Sequence, residues 1–150
     1  CEKLKSLILV APAGISVAGV QKPDMFMWSP EELTRKLFHD PQLAKAVPKP
    51  ATEDEVMLAL KNRLTTAKLG RSQRMHNPQL RKWLHRIKVP TQIIWGDDDQ
   101  ILPTAHGAAY RDLIPSSSLE IMAQCGHLPH VEKAQEFAQK VVNFTQSVAP

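Results

Sequence analysis

The sequence predicts an α/β fold built on a parallel sheet, and three observations lead to this. Short apolar runs that suit strands alternate along the chain with segments of helical periodicity. The first run, residues 6–11, has no polar alternation, which is typical of a strand buried on both faces. The composition, 43% hydrophobic and 23% charged over 150 residues, is that of a globular chain. We therefore expect strands covered by helices on both faces.

After the first strand and a loop over residues 13–27, we expect a helical insert whose three helices begin at capping signals. Ser29 followed by proline starts the first, and the capping box at residues 52–55 starts the second, which runs to a C-cap at Gly70. A polar linker, residues 71–77, leads to a third helix that starts at Asn77-Pro78. Breaks are predicted at Pro41, Pro48 and Pro50. The apolar residues expected to face inward are Leu33, Leu37, Phe38, Val56, Leu58, Leu60, Leu64, Leu69, Leu80, Trp83, Leu84 and Ile87.

The last third of the chain returns to alternating strands and helices. We predict strands over residues 90–96 and 118–123, and helices over residues 103–113 and 131–148. The inner face of the last helix is expected to hold Val131, Ala134, Phe137, Ala138, Val141, Val142 and Phe144. The resulting order, strand, insert, strand, helix, strand, helix, predicts about three parallel strands.

Charge and cysteine content exclude several classes of protein. Two cysteines, Cys1 and Cys125, are too few for a disulfide scaffold. The net charge is +4, and residues 56–96 hold nine Lys or Arg and no acid. We interpret this stretch chiefly as a solvated basic face, with an anionic substrate group or partner as the alternative. Nucleic acid is not an expected partner, because interleaved aromatic residues and Gly-rich basic loops are absent.

The beginning of the chain has some features of a signal peptide. Lys3 and Lys5 precede an apolar run, but Pro12 and Gly14 interrupt it, so a buried strand is favoured. No stretch approaches the ~20 apolar residues that span a bilayer. We therefore predict a cytoplasmic protein without a membrane span.

Ionisable residues cluster where two predicted strands end. In open parallel sheets, ligands meet the loops at the carboxyl ends of the strands, which here are residues 12–14, 96–103 and 124–130. The second loop holds Asp97, Asp98 and Asp99, and the third holds His127 and His130. An Asp that orients a His is the pairing a general base requires. The sequence therefore predicts an acid–base site between these loops.

The two loops carry a resemblance to a known family. Residues 90–103, with Trp-Gly-Asp-Asp-Asp-Gln-Ile-Leu-Pro, and residues 125–132, Cys-Gly-His-Leu-Pro-His-Val-Glu, resemble the C-terminal half of an α/β-hydrolase. In that family, Gly-x-x-Asp-x-x-x-Pro supplies the triad acid and Gly-His-x-x-x-x-Glu supplies the triad His. The resemblance therefore implies Asp99 as the acid and His127 as the base. Asp97 and Asp98 are then expected to be solvated turn residues.

The resemblance also implies a domain organisation. Residues 1–14 are similar to the core strand that follows the nucleophile helix, with residues 1–6 as the tail of that helix. Residues 15–87 are similar to a helical cap or lid, and residues 88–150 to the remaining core strands and helices. Glu132 is expected to support the His loop or the start of the last helix, and His130 to cap or pack that helix.

A metal site is a rival interpretation of the His loop. Cys125, His127 and His130 form a C-x-H-x-x-H cluster near the acidic loop and could ligate Zn²⁺. The spacing matches no closed structural zinc site, so we favour the acid–base pair and expect no metal and no cofactor. Cys125 is then expected to be a small, buried packing residue.

The nucleophile that such a hydrolase needs is not in the sequence. No Gly-x-Ser-x-Gly elbow occurs among its six glycines. The family carries the elbow and the oxyanion-hole loop before the first strand seen here, so we expect an N-terminal half to supply both. An uncovered first strand would also leave an apolar edge. The 150 residues alone are expected to lack turnover.

The expected activity is hydrolysis of a carboxylic ester or a C–C bond by a Ser-His-Asp triad. The alternatives are a non-catalytic ligand-binding or signalling protein of the same fold, and an epoxide or halide hydrolase if the nucleophile is Asp. The expected partners are the N-terminal half and a small substrate with an acyl or aromatic group, and an oligomer is possible. Candidate pocket residues are Met25, Phe26, Trp28, Leu37, Leu64, Trp83 and Leu128.

Overall fold

The computed structural model describes residues 4–70 and 75–148. Within these residues, β1 (Leu7–Val10), β2 (Thr91–Gly96) and β3 (Ser117–Met122) form one sheet in the order β1-β2-β3. Both pairs are parallel, with Leu7 opposite Thr91 and Thr91 opposite Ser117. The predicted α/β class with three parallel strands is confirmed. The proposed helix tail at residues 1–6 falls in part on residues 1–3, which lie outside the described residues.

Burial differs between the strands because of their places in the sheet. Every residue of the central strand β2 is buried, whereas all four residues of β1 are only half-buried. Both faces of β1 are packed, as predicted, since Leu9 packs against one core cluster and Ile8 against the other, but the strand is not fully buried. The reason is that β1 pairs with β2 on one side, and no other described strand pairs with it. Full burial is a property of the central strand β2 instead.

The insert contains short helices joined by turns. The Ser29 cap is confirmed, because its Oγ accepts the backbone N–H of Glu32 at 3.1 Å. Pro41, predicted as a break, instead begins a helix whose Asp40 cap accepts the N–H of Gln42 at 2.8 Å. The bounds are α1 Pro30–Lys36, α2 Pro41–Ala46, α3 Glu53–Gly70 and α4 Leu80–Trp83, with 3-10 turns at Met25–Met27 and Leu84–Arg86.

The long helix α3 does not bury its apolar residues as predicted. Exposed side chains on it are Val56, Met57, Leu58, Leu60, Leu64 and Leu69. Its attachment to the rest of the insert is polar, since the Arg63 guanidinium donates to the carbonyls of Phe26 (3.3 Å) and Trp28. Gly70 is a buried residue of the helix itself, next to Met75, and not a C-cap beyond it.

The third predicted helix is shorter than expected and faces differently. It ends at Trp83, and the chain continues as a 3-10 turn in which Leu84 is buried. Trp83 is 49% exposed and lies under the Arg86 guanidinium at 4.3 Å, so its predicted inward orientation is wrong. Leu84 contributes the buried contact that was expected of Trp83.

The C-terminal helices are α5 Ala105–Leu113, α6 Pro129–Glu132 and α7 Ala134–Ser147. The single predicted helix over residues 131–148 is therefore two, separated at Lys133, whose φ of −130° is not helical. Val131 and Val142 are exposed, which corrects their predicted inward orientation. Phe137 and Val141 do pack against the sheet, where they cover a buried cluster of Ile94, Met122 and Cys125.

The larger core cluster lies on the other face of the sheet and includes residues of the insert. Ile93 and Trp95 of β2 pack with Tyr110 and Ile114 from the α5 region and with Leu84. Insert residues packed against this cluster are Met25, Trp28, Leu33, Leu37, Leu80 and Ile87. The insert therefore rests directly on the sheet's carboxyl-end region. Among the helices described, none has both the length and the apolarity needed to cross a membrane.

Candidate active site

Asp99 lies in the turn after β2, and both oxygens of its carboxylate are hydrogen-bonded. Its side chain is fully buried. Oδ1 accepts the backbone N–H groups of Ile101 and Leu102, both at 2.9 Å. Oδ2 lies 2.8 Å from Nδ1 of His127. Buried carboxylates are costly unless they are hydrogen-bonded, so these three bonds both stabilise the group and fix its direction.

His127 meets this carboxylate from the loop after β3. A carboxylate oxygen only accepts, so in the neutral imidazole Nδ1 carries the proton and donates to Asp99. This leaves Nε2 to exchange protons, and the His127 side chain lines a cavity. The backbone N–H of His127 donates to the carbonyl of Leu37 at 2.9 Å. The arrangement has the geometry of an oriented general base.

The acid and histidine loops are joined by their backbones. Asp98 N–H donates to the Cys125 carbonyl at 3.0 Å, and Cys125 N–H donates to Asp97 Oδ1 at 3.2 Å. A Cβ atom at Gly96 would lie 2.1 Å from the carbonyl oxygen of Gly126. Only glycine allows this close approach, so Gly96 is required for the two loops to meet.

Asp97 and Asp98 play different parts from Asp99. Burial alone would raise the pKa of Asp97, but backbone N–H groups, chiefly that of Cys125, together with nearby His39 hold this pKa below its usual value. Asp98 Oδ2 lies 2.9 Å from Nδ1 of His39, and both side chains are partly exposed. Neither carboxylate contacts His127 in the hydrogen bonds described, whereas Asp99 does.

The other polar residues of the His loop have separate environments. Glu132 accepts the Gly126 N–H on Oε2 at 2.6 Å. Cys125 is fully buried, and burial raises the pKa of its thiol to about 12, with nearby Glu132 acting in the same direction. The His130 ring is exposed and stands edge-on to Phe137 at 6.0 Å. Across residues 4–70 and 75–148, no group of three His, Cys, Asp or Glu could hold a metal ion.

A cavity of about 680 Å³ lies between these loops and the insert. Its walls come from the end of β1, from the loop that carries Asp99, from His127, and from the insert, and include Ala11, Val20, Lys22, Met25, Phe26, Leu37, Met75, His76, Ile101 and Leu102. The volume falls within the usual range for small-molecule sites. A small substrate in this cavity would reach His127.

The predicted pocket residues divide into two groups. Met25, Phe26 and Leu37 line the cavity, whereas Trp28, Leu64, Trp83 and Leu128 do not. Leu64 is 61% exposed on α3, and Trp83 is exposed near Arg86. Trp28 is half-buried with the Lys36 ammonium 4.9 Å above its ring, and Leu128 precedes α6. These four residues were expected in the pocket because they are apolar, and apolar character alone does not determine which face a residue occupies.

Some residues of the site were not expected from the sequence. Met75 and His76 line the cavity, yet they belong to the segment predicted as a polar linker, of which residues 71–74 lie outside the described part of the chain. The pairing of His39 with Asp98 and the bond from Asp40 to Glu132 were also missed. No local pattern marks them, because the partners lie 59 and 92 residues away along the chain.

Comparison with known proteins gives a consistent result. The family model for the alpha/beta hydrolase fold matches residues 56–134. Among curated proteins, mouse monoacylglycerol lipase ABHD6 is 29% identical over 95% of this chain and 48% of that lipase. A 2-hydroxy-6-oxononadienedioate/2-hydroxy-6-oxononatrienedioate hydrolase from Pseudomonas is 30% identical over 81% of this chain and 38% of that enzyme. The chain spans about half the length, or less, of these curated relatives.

Solved structures show the same fold. A membrane phospholipase A superposes with a TM-score of 0.72 and 24% identity, covering 98% of this chain and 50% of that one. A meta-cleavage product hydrolase from Pseudomonas fluorescens IP01 gives a TM-score of 0.70 and 17% identity, covering 99% and 58%. At these identities the likeness concerns the arrangement of strands and helices.

Proposed function

Because this chain belongs to the alpha/beta hydrolase fold family, we propose that it forms the acid–base half of a hydrolase that cleaves carboxylic esters or C–C bonds. The observation that carries the proposal is the 2.8 Å contact between Asp99 Oδ2 and His127 Nδ1 beside a cavity. Relatives that are named as a lipase and as an oxo-dienedioate hydrolase support both bond types.

The proposed reaction uses His127 as a proton shuttle. A serine hydroxyl attacks the substrate carbonyl and gives its proton to Nε2 of His127. The imidazolium then protonates the leaving group as the bond from the carbonyl carbon breaks, which leaves an acyl-enzyme. Water repeats the sequence and releases the acid and the serine. Asp99 keeps the imidazole in the tautomer with Nδ1 protonated and stabilises its positive charge.

The nucleophile and the oxyanion hole are proposed to come from residues outside this chain. Three observations support this part of the proposal. The sequence contains no Gly-x-Ser-x-Gly elbow. The side of β1 that faces away from β2 pairs with no strand among those described, and a further parallel strand there would bring its carboxyl end close to the same cavity. The relatives are about twice as long as the chain, which leaves room for such a segment.

The insert, residues 15–87, is proposed to act as a cap over the substrate. Met25, Phe26 and Leu37 give the cavity an apolar wall on the insert side. An acyl or aromatic substrate group fits such a wall because burying its apolar surface is favourable. Lys22 and His76 add polar groups to the same lining.

Turnover of a short acyl ester by the longer protein that contains this chain tests the proposal. Changing His127→Ala should lower kcat by a factor of about 10³ or more, because the general base is lost. The matched control is His130→Ala, which removes an exposed imidazole three residues away and should leave kcat within about twofold. Near-normal turnover with His127→Ala would contradict the proposed role.

Labelling with a fluorophosphonate, which reacts with activated serines, tests the origin of the nucleophile. The longer protein should be labelled at a serine outside these 150 residues, and His127→Ala should slow the labelling because the serine is no longer activated. Labelling of a serine within the 150 residues would refute the proposal that the nucleophile lies elsewhere. Substrate binding with no turnover and no labelling would instead favour a non-catalytic binding protein.

A further inference from the structure

One short piece of the insert, residues 36–40, touches both catalytic loops. This piece, called here the 36–40 segment, joins α1 to α2. The carbonyl of Leu37 accepts the backbone N–H of His127 at 2.9 Å. The backbone N–H of Asp40 donates to Oε1 of Glu132 at 2.7 Å. The segment is therefore bonded to the His loop at both ends, directly at one end and through a carboxylate at the other.

Glu132 connects this segment to the His loop, because one of its carboxylate oxygens binds the segment and the other binds the loop. Its Oε1 accepts from Asp40, and its Oε2 accepts the backbone N–H of Gly126 at 2.6 Å. Gly126 immediately precedes His127, so the second bond acts one peptide away from the imidazole. Hydrogen bonds to a carboxylate are short and strong in comparison with those between neutral groups.

The backbones of the segment and of the loop are in close contact. Phe38 is 5% exposed. A Cβ atom on Gly126 would lie 2.6 Å from the Leu37 carbonyl oxygen and 2.8 Å from the Phe38 Cα. Since the backbones touch at a glycine, movement of the segment would have to move the loop as well.

The same segment also contacts the loop that carries Asp99. His39 Nδ1 lies 2.9 Å from Asp98 Oδ2, and Lys36 Nζ lies 3.4 Å from Gln100 Oε1. These contacts hold the residues immediately before and after Asp99. The insert therefore contacts His127 directly through its backbone N–H and contacts Asp99 through the residues on either side of it.

We infer that Glu132 is a positioning residue that couples the 36–40 segment of the insert to His127. The inference rests on the proposed function, since it concerns the base of that reaction. Leu37 lines the cavity, and its carbonyl accepts the backbone N–H of His127. A substrate that packs against Leu37 would therefore contact the same segment whose carbonyl holds His127, the proposed base. Removing the Glu132 bridge would let His127 move relative to Asp99 without changing the apolar walls.

Kinetics of Glu132→Gln in the longer protein that contains this chain test the inference. Gln keeps the shape, but its amide has one oxygen, so it can accept from only one of the two N–H groups. We expect kcat to fall at least about tenfold with KM changed less than about threefold, because small displacements of catalytic groups are costly in rate. The downfield proton resonance of His127 Nδ1–H should broaden in the free protein, since the imidazole is less well held.

Two further variants separate bridging from charge and from general stability. Glu132→Asp keeps the charge but shortens the side chain, so it should also lower kcat if the bridge matters. The matched control is Glu136→Gln, which removes a carboxylate 3.6 Å from Lys140 on α7 and should leave kcat and the resonance unchanged.

The outcomes decide between positioning and a structural role. A lower melting temperature with normal kcat in folded Glu132→Gln would overturn the inference, as would normal kcat in folded Glu132→Asp. His127→Ala is measured in the same series. If His127→Ala retains turnover, the proposed function itself fails. If His127→Ala abolishes turnover while Glu132→Gln leaves turnover unchanged, only the inferred coupling fails.

Discussion

At the scale of single residues, the environment of a side chain decides what an ionisable group can do. Asp97, Asp98 and Asp99 are consecutive and chemically identical, yet only Asp99 is buried with two backbone N–H groups on one oxygen and His127 on the other. Cys125 lies in the neighbouring loop, but burial raises the pKa of its thiol to about 12. A thiol in that state is a poor nucleophile at neutral pH, in agreement with the packing role expected for it.

His106 gives a prediction about pH at the same scale. Its side chain is 1% exposed, and Nδ1 donates to the Pro103 carbonyl at 2.9 Å, while Nε2 is buried with no partner among the described residues. Burial lowers the pKa of His106; the Pro103 carbonyl and Asp99 oppose this shift, and Lys22 adds to it. Below about pH 6.5 the unfolded chain therefore binds a proton that the folded chain binds less readily. The free energy of unfolding should fall as the pH decreases through this range.

Urea unfolding at about pH 7.5 and about pH 5.5 measures this contribution. The variant His106→Asn keeps an N–H that can donate to Pro103 but does not titrate, so it should lose less stability between the two pH values than the unmodified protein. His130→Asn is the control. Because His130 is exposed, this substitution should leave the stability difference between the two pH values unchanged. Equal losses in the unmodified protein and His106→Asn would contradict the prediction.

At the scale of elements, capping signals predicted helix starts better than periodicity predicted helix faces. The Ser29 cap and the capping box at Thr52 and Glu55 both form. The Asp40-Pro41 pair is the same kind of signal, an N-cap followed by proline, and it marks the start of α2. The faces of α3 were misjudged because its leucines repeat at helical spacing without a surface to cover within the described residues.

The exposure of α3 leads to a prediction about stability. Leu64→Gln should change the free energy of unfolding by less than about 0.5 kcal/mol, because its side chain is already 61% exposed. Leu84→Ala should cost about 2–5 kcal/mol, because Leu84 is 4% exposed and packs where the insert meets the sheet. Denaturant unfolding of both variants gives the comparison. A loss above about 1 kcal/mol for Leu64→Gln would mean that another surface covers α3.

At the scale of the whole molecule, β1 is the place where a further strand could join the sheet. The N–H of Leu7 donates to the carbonyl of Pro90, immediately before β2, and the N–H of Ala11 donates to the carbonyl of Ile94 in β2, at 3.0 Å each. In a parallel pair, alternate residues bond to the same neighbour, so the N–H groups of Ile8 and Val10 point away from β2. They face the side on which no described strand lies.

Amide hydrogen exchange tests whether another strand pairs there. In the 150-residue chain alone, Ile8 and Val10 should exchange rapidly while Ile94 in the central strand exchanges slowly. In the longer protein that supplies the nucleophile, Ile8 and Val10 should become protected by at least about tenfold, because they would donate to a neighbouring strand. Equal protection of these two amides in both proteins would contradict the proposed additional strand.

The sequence by itself determined the parallel α/β class, the order of the strands along the chain and the two loops that meet, because these depend on local signals. Alternation of strands and helices, proline and glycine positions, and helix caps act within a few residues. Only the tertiary structure decided that Glu132 bridges to Asp40, 92 residues away, that His39 pairs with Asp98, and that α3 is exposed. These features arise from packing between distant segments, and no local pattern in the chain encodes which distant surfaces come into contact.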